Sequence, residues 1–177
     1  MVEPKILEEN VVYQDSWAKV ISVKVQFPDG KSTVWTYPDF VDGVGIVPID
    51  SENNVYLVSE WRPAYRRHVV QIPAGACLAT DEEGRLKQAR NELMEEVGLD
   101  ANNLEKLCKK VIGGRQKIGF HIYLATDLLE SRKKAGEHEY IEVVKMSLDD
   151  AIKRFTLEEE TTYFTLIGLL LAKEKLK

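Results

Sequence analysis

The chain has 177 residues, 44% hydrophobic and 30% charged, with a net charge of -5, enough for one sizeable core and a small appendage. The acidic balance and the lack of a dominant Lys/Arg stripe argue against a nucleic-acid surface, and the cluster Arg132-Lys133-Lys134 reads as solvated loop. Cys77 and Cys108 have neither CxxC nor zinc spacing and read as reduced thiols, the N-terminus shows no apolar signal segment, and the greasiest run, "YFTLIGLLLA" (163 to 172), is too short to span a bilayer. The expectation is a cytoplasmic protein with neither a membrane nor a nucleic-acid partner.

In chain order, "KVISVKVQFPDGKSTVWTY" (19 to 37) alternates around Pro28-Asp29-Gly30 and predicts an antiparallel hairpin. This N-terminal unit, to about residue 40, carries Trp17 and Trp35. "GVGIVPI" (43 to 49) and "NVYLVSEW" (54 to 61) predict buried strands joined by the polar turn "DSENN". "GRLKQARNELMEEVG" then has helical periodicity, with Leu86, Ala89, Leu93 and Val97 spaced by three and four. Asp81 to Glu83 stand before it, where acidic residues favour the helix dipole, and Gly98 is placed to end it. "KIGFHIYLA" (117 to 125) and "YIEVVKM" (140 to 146) predict further strands. Ser147 with Asp150, and Thr156 with Glu159, have the form of capping boxes opening two last helices, the second being the apolar run at 163 to 172. Mixed strands with helices on either side predict an α/β sandwich, split as residues 1–40 and 41–177.

Within the helix, Glu92, Glu95 and Glu96 crowd into little more than one turn, with no Lys or Arg among residues 91 to 99. Like charges three and four apart repel by a few tenths of a kcal/mol, or roughly 0.2–0.5 per pair. At about 100° per residue the three fan over an arc of roughly 100°, and the periodicity predicts that they face solvent or a cleft rather than core. A charge run of this kind is ordinarily a solvated face. The sharper reading is a hard divalent cation such as Mg²⁺, which takes oxygen ligands, keeps waters and is commonly completed by substrate phosphates.

The run "GACLATDEEGRLKQARNELMEEVGL" resembles the Nudix box, G-x5-E-x7-R-E-U-x-E-E-x-G-U, where U is aliphatic. Glu83, Glu92, Leu93, Glu95, Glu96, Gly98 and Leu99 fall in register. Asn91 stands where the motif has Arg, and Gly75 lies two residues too far upstream, with Cys77 at the glycine position. "QIPAGA" resembles the E-x-P-A-G lead-in of ADP-ribose pyrophosphatases with Gln71 for Glu, and "VSEWRPAYRRH" their Q-x-R-P-P stretch. "GEHEYIEVVKMSL" resembles their late acidic loop, while "DSWAKV" and "STVWTY" resemble the segments whose tryptophans sandwich adenine. The proline expected after the box is replaced within "VIGGRQK", and the Glu expected soon after is absent, which loosens nucleoside and sugar choice.

That resemblance implies a Nudix α/β/α sandwich with a mixed sheet, preceded by a small antiparallel β unit. It implies a Mg²⁺-dependent pyrophosphatase, with Mn²⁺ as a substitute, acting on ADP-ribose or a related nucleoside diphosphate sugar. Glu92 and Glu96 are the first metal ligands it implies, with Glu95 assisting and the Ala74 carbonyl adding an oxygen. Glu139 is the leading general base and Glu137 the second, with Arg62 on substrate phosphate or ribose. Trp17 and Trp35 would stack on the base, one of them from the partner subunit of a homodimer. Alternatives remain for each: a surface cation at Arg62, core aromatics at the tryptophans, plain surface for "EHE". His138 reads as exposed, and His68 and His121 have no ligand spacing. Two other functions stay open, a Nudix-fold regulator that binds nucleotide without hydrolysis and an interaction domain with an acidic helix.

Overall fold

The computed structural model describes residues 2–111, 115–131, 140–157 and 159–177, with the backbone alone at Lys110 and Val111. The chain forms two compact units, one comprising Met1–Asp42 with Lys110–Gly119, the other Gly43–Lys109 with Phe120–Lys177.

The first unit is built on a three-stranded antiparallel sheet, β1 (Lys5–Gln14), β2 (Ala18–Gln26) and β3 (Ser32–Phe40), in that spatial order. The hairpin read from residues 19 to 37 is β2–β3. Its turn closes with Gly30 at φ 86°, a left-handed conformation that glycine adopts without a Cβ clash. β1 is not foreshadowed by any pattern, because its ten residues are all exposed and no alternation betrays it. It pairs with β2 through two register shifts, between Ile6 and Glu8 and between Val11 and Tyr13. Within the three strands, Ile21 and Val23 of β2 are the buried positions.

The second unit holds two sheets. One has the order β10 (Ile141–Ser147), β5 (Asn54–Arg62), β6 (Arg67–Gln71), all antiparallel. The other is mixed, in the order β7 (Ala74–Ala76), β4 (Gly43–Pro48), β9 (Gly119–Glu130), β8 (Leu99–Val111), with β4 parallel to β9 and antiparallel to β7. All six residues of β4 are buried, as its near-continuous apolar run requires.

Helix α1 (Glu82–Glu92) continues into a π turn over Leu93–Val97 and ends at Gly98, φ 76°. Ala89 and Leu93 are fully buried with Val44, Ile46, Cys77 and Tyr123, and Leu86 and Val97 pack against the same cluster, so the predicted apolar stripe is the packed one. On the C-terminal side, α2 (Leu148–Leu157) opens with the expected box: Asp150 N donates to Ser147 Oγ at 3.1 Å, and the Ser147 hydroxyl donates to Asp150 Oδ2 at 2.7 Å. The second box is corrected. Thr156 lies inside α2, and the helix after it, α3 (Tyr163–Lys175), starts from Thr162, whose extended backbone (φ -75°, ψ 143°) is what an N-cap needs. Helix α3 sits so close to the mixed sheet that a Cβ on Gly168 would lie 3.0 Å from Val47 Cγ2 and 3.3 Å from Ile72 Cδ1. With α1 and α3 packed on β4, the unit is an α/β sandwich. Among the described residues no helix is long and apolar enough to cross a membrane. Cys77 is buried and Cys108 half-buried.

Candidate active site

The site is assembled where the C-terminal half of α1 meets the short strand β7. Its upstream end is fastened first. Asp81 caps the helix by accepting from Gly84 N at 2.7 Å. One residue on, Glu82 accepts from the Tyr123 hydroxyl at 2.9 Å and from Lys106 Nζ at 2.5 Å, with Arg85 at 3.8 Å. The Lys106 bond holds the Glu82 carboxyl below the usual carboxylate range, against partial burial. Burial and the adjacent Glu82 push the Tyr123 phenol up, so Tyr123 stays a donor. Arg90 reaches Asp100 and the Ala101 carbonyl, the latter at 2.7 Å, tying the far side of the helix to β8. These ties, together with the buried stripe, fix where the following carboxylates stand.

Glu92 and Glu96 converge on the two neighbouring residues Ala74 and Gly75. Glu96 Oε2 accepts from Ala74 N at 3.0 Å. Glu92 lies against the Cα of Gly75, where a Cβ would fall 2.1 Å from Glu92 Oε1, and Gln88 Nε2 donates to that same oxygen at 2.7 Å. Position 75 is therefore the glycine that close approach demands, while Cys77, two residues on, is a buried core side chain. Glu95 is exposed.

The expectation that all three glutamates avoid the core needs correction at Glu96, which is 5% exposed. Seven residues after Ala89, it returns to within about 20° of that buried azimuth on a regular helix, so it borders the apolar stripe rather than opposing it. It also lies within the π turn, a wide-turn irregularity that recurs at functional sites. Burial is tolerable because the Ala74 N–H donates to its carboxylate.

This donor set suits a hard cation. Two carboxylates bear on one backbone corner, a third is exposed one residue away, and a glycine leaves room where a methyl would intrude. Among the described residues no three carboxylate, histidine or cysteine side chains form a ready-made cage. An open set of this kind is the one that substrate phosphates and water complete.

Arg62 ends β5, and its guanidinium pairs with Glu60 Oε2 at 2.8 Å. Glu137, His138 and Glu139 lie outside the described residues. His121 is fully buried in β9, opposite Val44. Gln71, left without a role by the sequence, is fully buried in β6. Gln88 and Gly75 were not singled out as site residues; the i, i+4 spacing of Gln88 to Glu92 was the available signal.

In the first unit, Trp17 is 69% and Trp35 49% exposed. Trp35 stands opposite Val23, whereas Trp17 adjoins Ala18, which pairs with Phe40. Five strand positions separate those pairs, roughly 17 Å, far beyond the ~4.5–7 Å of a stacked ring. The backbones that carry the two rings are thus well separated along the sheet. Trp17 borders a pocket of 270 Å³ with Phe40, Asp39 and Lys19.

Comparison with known proteins decides the family, since residues 39–166 match the NUDIX domain. The chain belongs to the Nudix family. It is 31% identical to the ADP-ribose pyrophosphatase of Bacillus subtilis (strain 168), over 84% of this chain and 84% of that protein. It is 28% identical to the ADP-ribose pyrophosphatase of Mycobacterium tuberculosis (strain ATCC 25618 / H37Rv), over 83% of this chain and 72% of that one. A third relative, 26% identical over 86% and 83% of the two chains, is a methanol dehydrogenase activator of Bacillus methanolicus. The crystal structure of an ADP compounds hydrolase shares the fold, with a TM-score of 0.85 at 23% identity over 99% of this chain and 95% of that one. The protein is thus a Nudix hydrolase, a pyrophosphatase by class.

Proposed function

We propose that this Nudix hydrolase cleaves the diphosphate of ADP-ribose or a related nucleoside diphosphate sugar, giving a nucleoside monophosphate and a sugar phosphate. For ADP-ribose the products are AMP and ribose 5-phosphate. The observation that carries the reading is the convergence of Glu92 and Glu96 on Ala74–Gly75. Those two side chains, with Glu95 and the Ala74 carbonyl, are the groups that would hold Mg²⁺, or Mn²⁺ in its place. When bound, such ions offset charge on the diphosphate oxygens and lower the pKa of a coordinated water. The chain's own part is to hold these carboxylates rigid through α1, to seat the substrate, and to take a proton from the attacking water. Glu139 is the proposed base and Glu137 the second candidate. Arg62 gives a charge-assisted bond to substrate phosphate or ribose.

Trp17 and Trp35 supply the base-binding rings. Their separation within one chain favours a clamp with one ring from each subunit of a homodimer, formed through the N-terminal unit (residues 1–40), while residues 41–177 make up the Nudix domain. We place this reaction in the cytoplasm, on a small-molecule substrate, with neither nucleic acid nor membrane as partner. The test is a panel of nucleoside diphosphate sugars with Mg²⁺, Mn²⁺ or chelator, with products resolved. Metal-dependent release of AMP from ADP-ribose is the expected result, and no hydrolysis of any member overturns it. A second reading, a nucleotide-binding regulator, draws on the likeness to the methanol dehydrogenase activator. Tight nucleotide binding with no product in the same panel would favour it.

A further inference from the structure

Gln71 is completely buried, yet neither its amide oxygen nor its amide nitrogen has a hydrogen-bond partner among the described residues. Buried amides are almost always satisfied, because an unmet one forfeits the water it left behind. The register of the β5–β6 hairpin shows what stands nearby. Gln71 lies opposite Val58, Glu60 opposite Val69 and Arg62 opposite Arg67, so all six share one face of the sheet. Glu60 is therefore the diagonal neighbour of Gln71, about 7–8 Å away, a spacing that two long side chains bridge. Glu60 is engaged instead with Arg62, at 2.8 Å, in a pair whose side chains are 37% and 27% exposed. Beyond it, Arg67 is tied to Glu160. Strand β5 also packs against the π turn that carries Glu95 and Glu96.

We propose that Gln71 is a positioning residue, a latent partner that receives the Glu60 carboxylate when Arg62 turns to an anionic substrate. The inference rests on the reading of Arg62 as a substrate-binding cation. In the free protein the ion pair is made and the amide is unmet. In the complex the guanidinium bonds to a substrate phosphate, and Glu60 rotates to accept from the Gln71 NH₂. One bond is exchanged for another, so the carboxylate is never stranded, and Arg62 is released at lower cost. An acceptor-only side chain at position 71 could not play this part, because it has no proton to give Glu60.

The experiment is a double-mutant cycle read in stability and in kinetics with ADP-ribose. Gln71→Met removes an unmet amide at similar volume, so the unliganded midpoint should rise by about 3 °C or more. The same variant should raise KM roughly tenfold with a smaller change in kcat, and Gln71→Glu should raise it further by repelling Glu60. In a Glu60→Ala background Gln71→Met should leave KM within about twofold, since the carboxylate to be received is gone. A lower midpoint for Gln71→Met, or the same tenfold effect without Glu60, overturns the proposal. Arg62→Ala separates the two levels: unchanged KM there sinks the reading of Arg62 itself, whereas raised KM with an uncoupled Gln71 sinks only the latent partner.

Discussion

The two ends of α1 present the same residue type to opposite purposes. At the upstream end Glu82 meets a cation and a phenol, Lys106 and Tyr123, and its charge is answered by the protein itself. At the downstream end Glu92 accepts from the Gln88 amide and Glu96 from the Ala74 backbone N–H, bonds that orient both carboxylates at one corner of the backbone. One carboxylate is tied into the scaffold, and two are aimed at a shared backbone corner. The difference separates the acid that fastens the helix from the two that converge on Ala74 and Gly75.

Glu96 separates the two ends of the helix most strongly. Glu96→Gln keeps an oxygen for the Ala74 N–H, so the fold should persist, while kcat falls by at least about a hundredfold, the scale on which losing one charge-stabilising group acts. Steady-state kinetics in Mg²⁺ beside a melting curve checks this, and near-normal turnover would remove Glu96 from the site. Glu139→Gln should lower kcat by a comparable factor, roughly 10²–10⁴, with Mg²⁺ affinity nearly unchanged, because a general base acts in the chemical step. If Glu137→Gln is the damaging change instead, the two exchange roles. Gly75→Ala tests aim rather than charge: its methyl would displace Glu92 from a position 2.1 Å away, and misplacement by about 1 Å can cost about a hundredfold. We expect kcat to fall between about ten- and a hundredfold with a small loss of stability, and an unchanged kcat would show that Glu92 does not need its present seat.

Smaller effects come from outside the carboxylate pair. Trp35→Ala should raise KM for adenine nucleotides by about five- to a hundredfold and leave kcat largely alone, since stacking of about 1–3 kcal/mol is present in ground and transition states alike. Quenching of tryptophan fluorescence by ADP-ribose, weaker in either single mutant, is the direct measurement. Glu82→Gln, the anchor, should lower the thermal midpoint by about 2–4 °C with kcat within about twofold. The Glu82 carboxyl is held below its usual range, so its stabilisation is present above the ordinary Glu value of 4.5 and is lost as pH falls through the lower folded value. The midpoints of wild type and Glu82→Gln should therefore converge on acidification from about pH 5 downward. A gap that stays constant would mean that Glu82 contributes through packing rather than charge.

The second unit's core was legible in the sequence because its signals are local and repeated. β4 is an unbroken apolar run, the α1 stripe recurs at three and four, and Gly98 ends the helix where a positive φ is needed. β1, β6, β7 and β8 were not legible. "KILEENVVYQ" buries nothing, "AGA" is three residues held by β4, and "LDANNLEKLCKKV" mixes charge with amides, so each is a strand by virtue of its neighbour. Within the site, the Nudix box located Glu92 and Glu96, but their convergence on Ala74 and Gly75 joins residues about twenty apart in the chain. The burial of Glu96 was readable in principle from its azimuth beside Ala89; the π turn was not. The amide of Gln71 stands out only once its burial and the register of β6 are known.

The outer strand β1 has a consequence for how this protein behaves in concentrated solution. It lies at the rim of its sheet, and Ile6, Leu7, Val11, Val12 and Tyr13 are all exposed along it. Such a rim invites strand-to-strand aggregation, yet two register shifts interrupt its ladder and Glu8-Glu9-Asn10 splits its apolar residues into a pair and a run of three. A foreign strand could stay in register for only a few residues before meeting a kink or a charge. The irregularities in β1 thus act as gatekeepers, guarding solubility where a sticky surface has been left open.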